Sequence, residues 1–351
     1  MSEHILDTFL NKNHQKNDFP FRGDYKARIC TLKSHLETKY YPHITASALW
    51  DEITTKGKKI YLNDHGLDHV EKLLFRLTDL LNISSKELTR YEEYILIFSA
   101  LIHDVGNAWG RENHEKKCSD VIEEVGNGVI EDTGEKQLIG TIASTHGGFI
   151  FDDEKDTIYH SLEGVTPIAS KKVHDRFLAA LLRFADELAD DCTRHNRFAL
   201  KNNLLEGSEV FHSYSSSLRS VDIENNQIKL LFTLYRDDIK NKKQKLGNKT
   251  YILDEIYSRT YKMFQELIYC NRYLKPYISI DKIRVTIDIF EDHEFDKTPY
   301  TPINKIFYDL EEKGYPNSKN GSIFSVCEHL KEKTGAKVKK EIQNLKRNAK
   351  K

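Results

Sequence analysis

The chain has 351 residues, 53 Lys and Arg against 54 Asp and Glu for a formal net charge of −1, with 39% hydrophobic and 30% charged residues. That is enough for two modest domains or one larger one with additions, and the balanced charge offers no global argument for nucleic-acid binding. Five scattered cysteines (Cys30, Cys118, Cys192, Cys270, Cys327) form no C-x-x-C pair, and no apolar run reaches the ~18 residues of a membrane helix. A disulfide framework, a zinc ribbon and a membrane protein are therefore excluded, and with no secretory signal pattern at Met1-Ser2-Glu3-His4 the expected setting is a reducing cytoplasm.

Residues 1–24 read as polar and irregular, with a turn at Phe19-Pro20-Phe21-Arg22-Gly23, and 25–53 carry apolar groups at helical spacing. A loop at 56–59 precedes a helix capped by Asn63 or Asp64 that reaches about Leu81. Ser84 or Ser85 caps the next helix, which runs to Asp104 and stops on Gly106 as a left-handed C-cap. Helices follow from His114 to about Val125 and over 135–145, then an insertion rich in Asp, Gly and Ser at 147–170, then a long amphipathic helix at 171–190. After Arg197 the texture changes. Segments 210–221 and 227–235 alternate as strands around a turn at 224–226, and a basic loop at 240–245 leads to a helix at 251–274. Residues 278–290 read as a strand or strand pair, and the lysine-rich segment from about Tyr315 as a basic surface helix. The expectation is a mainly α protein: an N-terminal helical extension (1–54), a helical catalytic core (55–200), a small α+β region (205–295) and a basic, helical C-terminal tail (296–351).

The chemistry gathers in the core. The apolar run Leu96-Ile97-Phe98-Ser99-Ala100-Leu101-Ile102 ends abruptly in His103-Asp104. Carboxylates are rarely buried unless paired or metal-bound, so a greasy helix ending in His-Asp is a place to hold an ion. Four further positions join it: His69 in Asp68-His69-Val70, His114 in Asn113-His114-Glu115, His146 in Thr145-His146-Gly147, and Asp186 in Phe184-Ala185-Asp186. They fall on separate segments, as ligands that surround an ion must. Imidazole with carboxylate suits Mn, Fe, Co, Ni or Zn better than Mg. Asp104 has two oxygens and can bridge two ions, which an imidazole cannot. His65 lies one helical turn before His69 and is an alternative register, an additional ligand or a group behind the ligands. Arg111, Arg183, Arg194, Arg197, Lys116 and Lys117 are phosphate-binding candidates, with Arg183, one turn from Asp186, the first choice. Against this, Asp186 pairs with Arg183 or Arg194 in a purely structural reading, and His114 is a solvated residue at a helix start.

The order His…His-Asp…His…His…Asp across residues 55–195 resembles the HD superfamily of metal-dependent phosphohydrolases, and within it the branch with two metals. The resemblance implies that His69, His103, Asp104 and Asp186 hold one divalent transition metal. It implies that His114 and His146, with Asp104 bridging, hold a second. It further implies hydrolysis of a phosphoester bond in a nucleotide or related small molecule by a metal-bridged hydroxide; Asp104, as the bridging ligand, and Arg183, from its residue type and spacing, are the candidate catalytic residues. Asn107 stands where many cyclic-dinucleotide relatives have Lys, and Gly314-Tyr315-Pro316 lies too far along the chain to supply their signature, which argues against that substrate. Two alternatives use nearly the same residues: an HD-fold di-iron oxygenase, and a non-catalytic metal-binding regulatory module whose α+β part binds a partner. The complete ligand set argues against the latter. The basic tail reads as a solvated face in preference to a nucleic-acid arm.

Overall fold

The computed structural model describes residues 3–45, 52–53, 59–126, 129–150, 155–205, 207–224, 226–291, 301–312 and 322–348. Among them α-helices dominate, so the protein is mainly α, and none of the helices is long and apolar enough to cross a membrane. The chain divides into two compact units, one of residues 1–50, 64–189 and 269–279, the other of 51–63, 190–268 and 280–351.

The first unit holds α1 (Ile5–Asn11), α2 (Tyr25–Lys39), α3 (Leu67–Asn82), α4 (Arg90–Ile102), α5 (Cys118–Gly126), α6 (Thr133–Ser144), α7 (Thr157–Ser161) and α8 (Asp175–Leu188). Its axis is α4, buried at every residue from Tyr94 to Ile102 and packed by α1, α2, α3, α6 and α8. A helix apolar all round must be enclosed by others, and the sequence of α4 has no polar face to offer water. Helix α3 shows the amphipathic case: Val70, Leu73, Leu74, Leu77 and Leu80 are buried as one stripe.

Helix ends depart most from the sequence reading. Helix α4 is capped by Thr89, whose hydroxyl accepts from Glu92 N at 3.2 Å while Glu92 Oε2 accepts from Thr89 N at 3.0 Å. This reciprocal box outcompetes Ser84 and Ser85 because it satisfies two amides at once. The cap of α3 is Gly66, with Asp64 Oδ1 accepting from Gly66 N in a local turn. A side chain at Gly66 would meet Thr45 Cγ2 at 2.6 Å, so close packing decides that position. Residues 5–11, read as irregular, form α1 and bury Ile5, Leu6 and Phe9, a set too short to show periodicity. Helix α2 stops at Lys39, where Pro42 in the following 3-10 turn forbids continuation, and Glu52–Ile53 pairs as strand with Lys59–Ile60. His114–Lys117 is a 3-10 turn ahead of α5. Lys171–Val173 pairs with Thr166–Ile168, so the long helix starts only at Asp175.

The second unit carries α9 (Arg197–Lys201), α10 (Glu209–Ser217), α11 (Arg236–Lys240) and most of α12 (Ile252–Leu274), then α13 (Ile323–Val326) and α14 (Gly335–Asn348). It is built on a four-stranded sheet: β1 (Leu218–Glu224), β2 (Gln227–Tyr235), β3 (Lys282–Phe290) and β4 (Asn304–Glu311), in the order β4-β3-β2-β1. β1 and β2 form an antiparallel hairpin, β2 and β3 are parallel, and β4 pairs antiparallel to β3. Strict alternation buries Ile228, Leu230, Phe232 and Leu234 on β2 and Ile283, Val285, Ile287 and Ile289 on β3. The helix at 251–274 lies within a residue of its expected bounds, and 278–290 holds a single strand. Segment 210–221, read as a strand, begins instead as α10, whose Val210, His212 and Tyr214 are all buried. Lys243–Lys245, in the expected basic loop, pairs with Asn248–Thr250 across Leu246 (φ 47°) and Gly247 (φ 84°). Strand β4 lies in the stretch expected to be helical and basic, and it takes the sheet's edge because Ile306, Tyr308 and Leu310 alternate inward. Helix α14 is the basic helix, with Val338 and Ile342 buried, while Gly314-Tyr315-Pro316 falls outside the described residues.

In the first unit α2, α4 and α6 enclose Arg28, Tyr25, Tyr91, Tyr94 and Glu135, with Arg28 Nη1 3.5 Å from Glu135 Oε2. Burial outweighs the Tyr91 hydroxyl and Arg28 and pushes the Glu135 carboxyl up to about 7 from its ordinary 4.5. A raised carboxyl favours the neutral form when folded, so its stabilisation is complete below about 4.5 and lost as pH rises through about 7. Wild-type protein should therefore lose up to about 3 kcal/mol from this group across that interval. Glu135→Gln should lack that slope, as read from denaturant midpoints over the same pH range.

Candidate metal centre

Six side chains from α3, α4, the turn before α5, the end of α6 and α8 converge in the first unit. His69, in the first turn of α3, places Nε2 3.1 Å from Asp186 Oδ1 and 3.4 Å from Asp104 Oδ2. His103, at the C-cap of α4, places Nε2 3.2 Å from Asp104 Oδ2 and 3.5 Å from Asp186 Oδ1. On the other side of the same carboxylate, His114 Nε2 is 3.2 Å and His146 Nε2 3.5 Å from Asp104 Oδ1, and the two Nε2 atoms are 3.3 Å apart. Two ligand groups result, His69–His103–Asp104–Asp186 and Asp104–His114–His146, each with its donor atoms within 4.8 Å of one another.

Three of the imidazoles are oriented by one device. His103 Nδ1 donates to Ala100 O at 2.8 Å, His114 Nδ1 to Arg111 O at 3.0 Å and His146 Nδ1 to Ala143 O at 2.6 Å. Each ring uses the carbonyl three residues back: at the end of α4 for His103, at the end of α6 for His146, and in the loop before the 3-10 turn for His114. The bond keeps the proton on Nδ1 and leaves Nε2 as the lone-pair donor facing the cluster.

Backbone packing sets the rest. A Cβ on Gly106 would lie 1.9 Å from the His114 carbonyl oxygen, so glycine is needed for the two segments to cross. Its backbone is not left-handed, and α4 has already ended at Ile102; close approach, not a C-cap, explains this glycine. Asn107 Nδ2 donates to Asp104 Oδ1 at 2.9 Å and to Asp104 O at 3.0 Å, holding the carboxylate in place. The buried Cys118 thiol donates to His103 O at 3.0 Å and Ile102 O at 3.3 Å, fixing the end of α4. Sequence reasoning missed both: Asn107 registered only as a departure from relatives, and Cys118 only as one of five scattered cysteines.

The electrostatics favour positive charge in the cluster. Burial opposes protonation of His103, yet the Asp104 and Asp186 carboxylates raise it to about 10. Asp104 and Asp186 themselves are held well below the usual carboxylate range despite burial, by His103 together with His65 and His114 at Asp104 and with His69 at Asp186. His114 moves the other way, lowered by burial and by the Arg111 cation, which outweigh Asp104. Both nitrogens of His69 and Nε2 of His103 are buried without a hydrogen bond. Buried polar atoms seldom stay unpartnered. A divalent cation can take the place of the proton that these carboxylates hold on His103, freeing Nε2 to ligate, and these clusters can hold a metal ion.

The other sequence candidates divide. His65 is buried, its Nε2 3.3 Å from Arg111 Nη1. Arg111, with a side chain 49% exposed, donates to Asn107 Oδ1 at 3.1 Å and stands 3.9 Å from Asp104 Oδ1. Arg183 is buried and its guanidinium contacts Thr145 and Thr157. Arg194 belongs to the second unit, 3.9 Å from Asp190 Oδ1.

Fold and site together define a mainly helical protein with a buried histidine–aspartate centre able to hold metal. Residues 59–262 match the HD-CE family, and the chain belongs to it. No curated protein shows significant similarity to the chain.

His69 and His65 should separate cleanly on substitution. His69→Ala is expected to remove the ion held by its group, whereas His65→Ala should leave metal content nearly unchanged, as measured by elemental analysis after loading with Mn. Loss of metal from His65→Ala alone would move the ligand register by one turn.

Proposed function

We propose that the protein is an HD-type metal-dependent phosphohydrolase acting on the phosphoester bond of a nucleotide or related small molecule. One observation carries the reading: the two oxygens of a single buried carboxylate face different sets of imidazoles. Asp104 Oδ2 lies beside His69 and His103, and Oδ1 beside His114 and His146. A carboxylate so placed could be shared by two ions. His69, His103 and Asp186 with Oδ2 would hold the first, and His114 and His146 with Oδ1 the second. Two such ions would supply an activated water and neutralise charge on a phosphoryl group.

The chain's own part is orientation and selection. The carbonyl bonds to each Nδ1 fix three of the rings, and Asn107 fixes the bridging carboxylate. Arg111, half-exposed beside Asp104 Oδ1, is suited to a phosphate oxygen of the substrate. The nitrogen-rich donor set favours Mn, Fe, Co, Ni or Zn. Membership of the HD-CE family supports an HD-like site over a chance cluster.

A screen of Mn-loaded protein against nucleotides, cyclic nucleotides and generic phosphodiesters and monoesters tests the reading. Phosphoester cleavage is expected from wild type and should be abolished in Asp104→Ala. Residual activity within about tenfold of wild type, or ~1.4 kcal/mol of transition-state stabilisation, would rule out the bridging role. Oxygen consumption without phosphoester cleavage would favour a di-iron oxygenase instead.

A further inference from the structure

We propose that Arg183 is a positioning residue that, with Thr157 and Tyr269, clamps the end of α6 so that His146 is held against the second oxygen of Asp104. The consequence for metal rests on the two-ion reading above. Thr145, immediately before His146, is the C-cap of α6, where carbonyls have no amide of the next turn to bond. Arg183 Nη1 donates to Thr145 O at 3.3 Å and to Thr157 Oγ1 at 2.9 Å, and Thr157 Oγ1 donates to the same carbonyl at 3.0 Å. The guanidinium carbon lies 4.5 Å from the centre of the Tyr269 ring, whose hydroxyl accepts from Ile158 N at 3.0 Å. Arg183 is only 4% exposed.

A buried cation is costly unless it is partnered, and here Nη1 bonds two oxygens and the guanidinium faces an aromatic ring where the α6 dipole also favours positive charge. The chain leaves the helix through two glycines, Gly147 and Gly148, the latter at φ +75°, and residues without side chains restrain the backbone beyond His146 little. Arg183 and Asp186 share α8 one turn apart. The clamp thus ties the helix that carries a ligand of one group to the helix end that carries a ligand of the other. In this role Arg183 acts through Thr145 and His146, not through the phosphate.

The test uses the full chain stripped of metal, as wild type, Arg183→Met, Thr157→Val and His146→Ala. Calorimetric titration with Mn should show two ions on wild type. Arg183→Met should retain the first, with the second bound about 10–100-fold more weakly. Thr157→Val should shift the second ion the same way by less, and His146→Ala should abolish it. Amide hydrogen exchange over 143–148 in the metal-free protein should quicken in Arg183→Met and Thr157→Val while α3 stays unchanged. Unaltered second-ion affinity and unaltered exchange in both variants overturn the proposal, even if turnover falls. Should wild type bind fewer than two ions, the two-ion reading fails, and the exchange measurement decides the clamp on its own. Should Arg183→Met fail to fold, Thr157→Val, which removes one hydroxyl and keeps the shape, decides both.

Discussion

An ionised carboxylate sealed inside a protein must be answered by positive charge or donors, and Asp104 is that group here. Left alone it would cost several kcal/mol. Everything around it reads as an answer. Four imidazoles and the Asn107 amide face its two oxygens, and the thiol of Cys118 secures the carbonyl of the residue before it. The enclosure comes from α4, whose run of apolar side chains has no route to water and carries the His-Asp pair into the interior. The same burial that makes α4 a good core helix makes its end a place where charge is strong and solvent cannot screen it.

That coupling divides labour between side chains and backbone. Side chains supply charge and lone pairs; helix ends supply orientation. The three rings tied by Nδ1 all use the carbonyl three residues back, two of them where α4 and α6 terminate, so the end of a helix becomes a guide for the ligand. The Arg183 clamp repeats the theme at Thr145, using another terminal carbonyl. Far along α4, around Tyr91 and Glu135, the same enclosed geometry has the opposite outcome: there the nearest cation is too weak a partner and the carboxyl turns toward its neutral form.

How much of this was legible in the sequence follows from the range of each interaction. Apolar periodicity is local, so α3, α4, α12 and strands β2 and β3 could be read directly. The spacing of His69, His103, Asp104, His114, His146 and Asp186 could be read because residue types with strong ligand chemistry stand out, and the structure brings those six together. Helix starts were misplaced at Ser84 and at Lys171 because capping depends on which side chain meets which amide, and on hairpin pairing, neither of which periodicity reports. α1 was too short to show a pattern, and β4 was read together with the lysine-rich segment that follows it. Arg183 looked like a phosphate binder because proximity to Asp186 along the helix was visible, whereas Thr145, Thr157 and Tyr269, which engage it, are 38, 26 and 86 positions away.

The crossing at Gly106 has one more implication. Contacts between side chains tolerate drift, since rotamers can adjust, but here main chain lies on main chain, with no atom between them to yield. The stretch from Gly106 to His114 is therefore a closed loop of set circumference, pinned at both ends. Its composition is free to vary where residues face outward, as at Glu112. Its length is not: one residue more or fewer would rotate His114 away from Asp104 or force the two strands of chain apart. Across the family, this short loop should accumulate substitutions while refusing insertions.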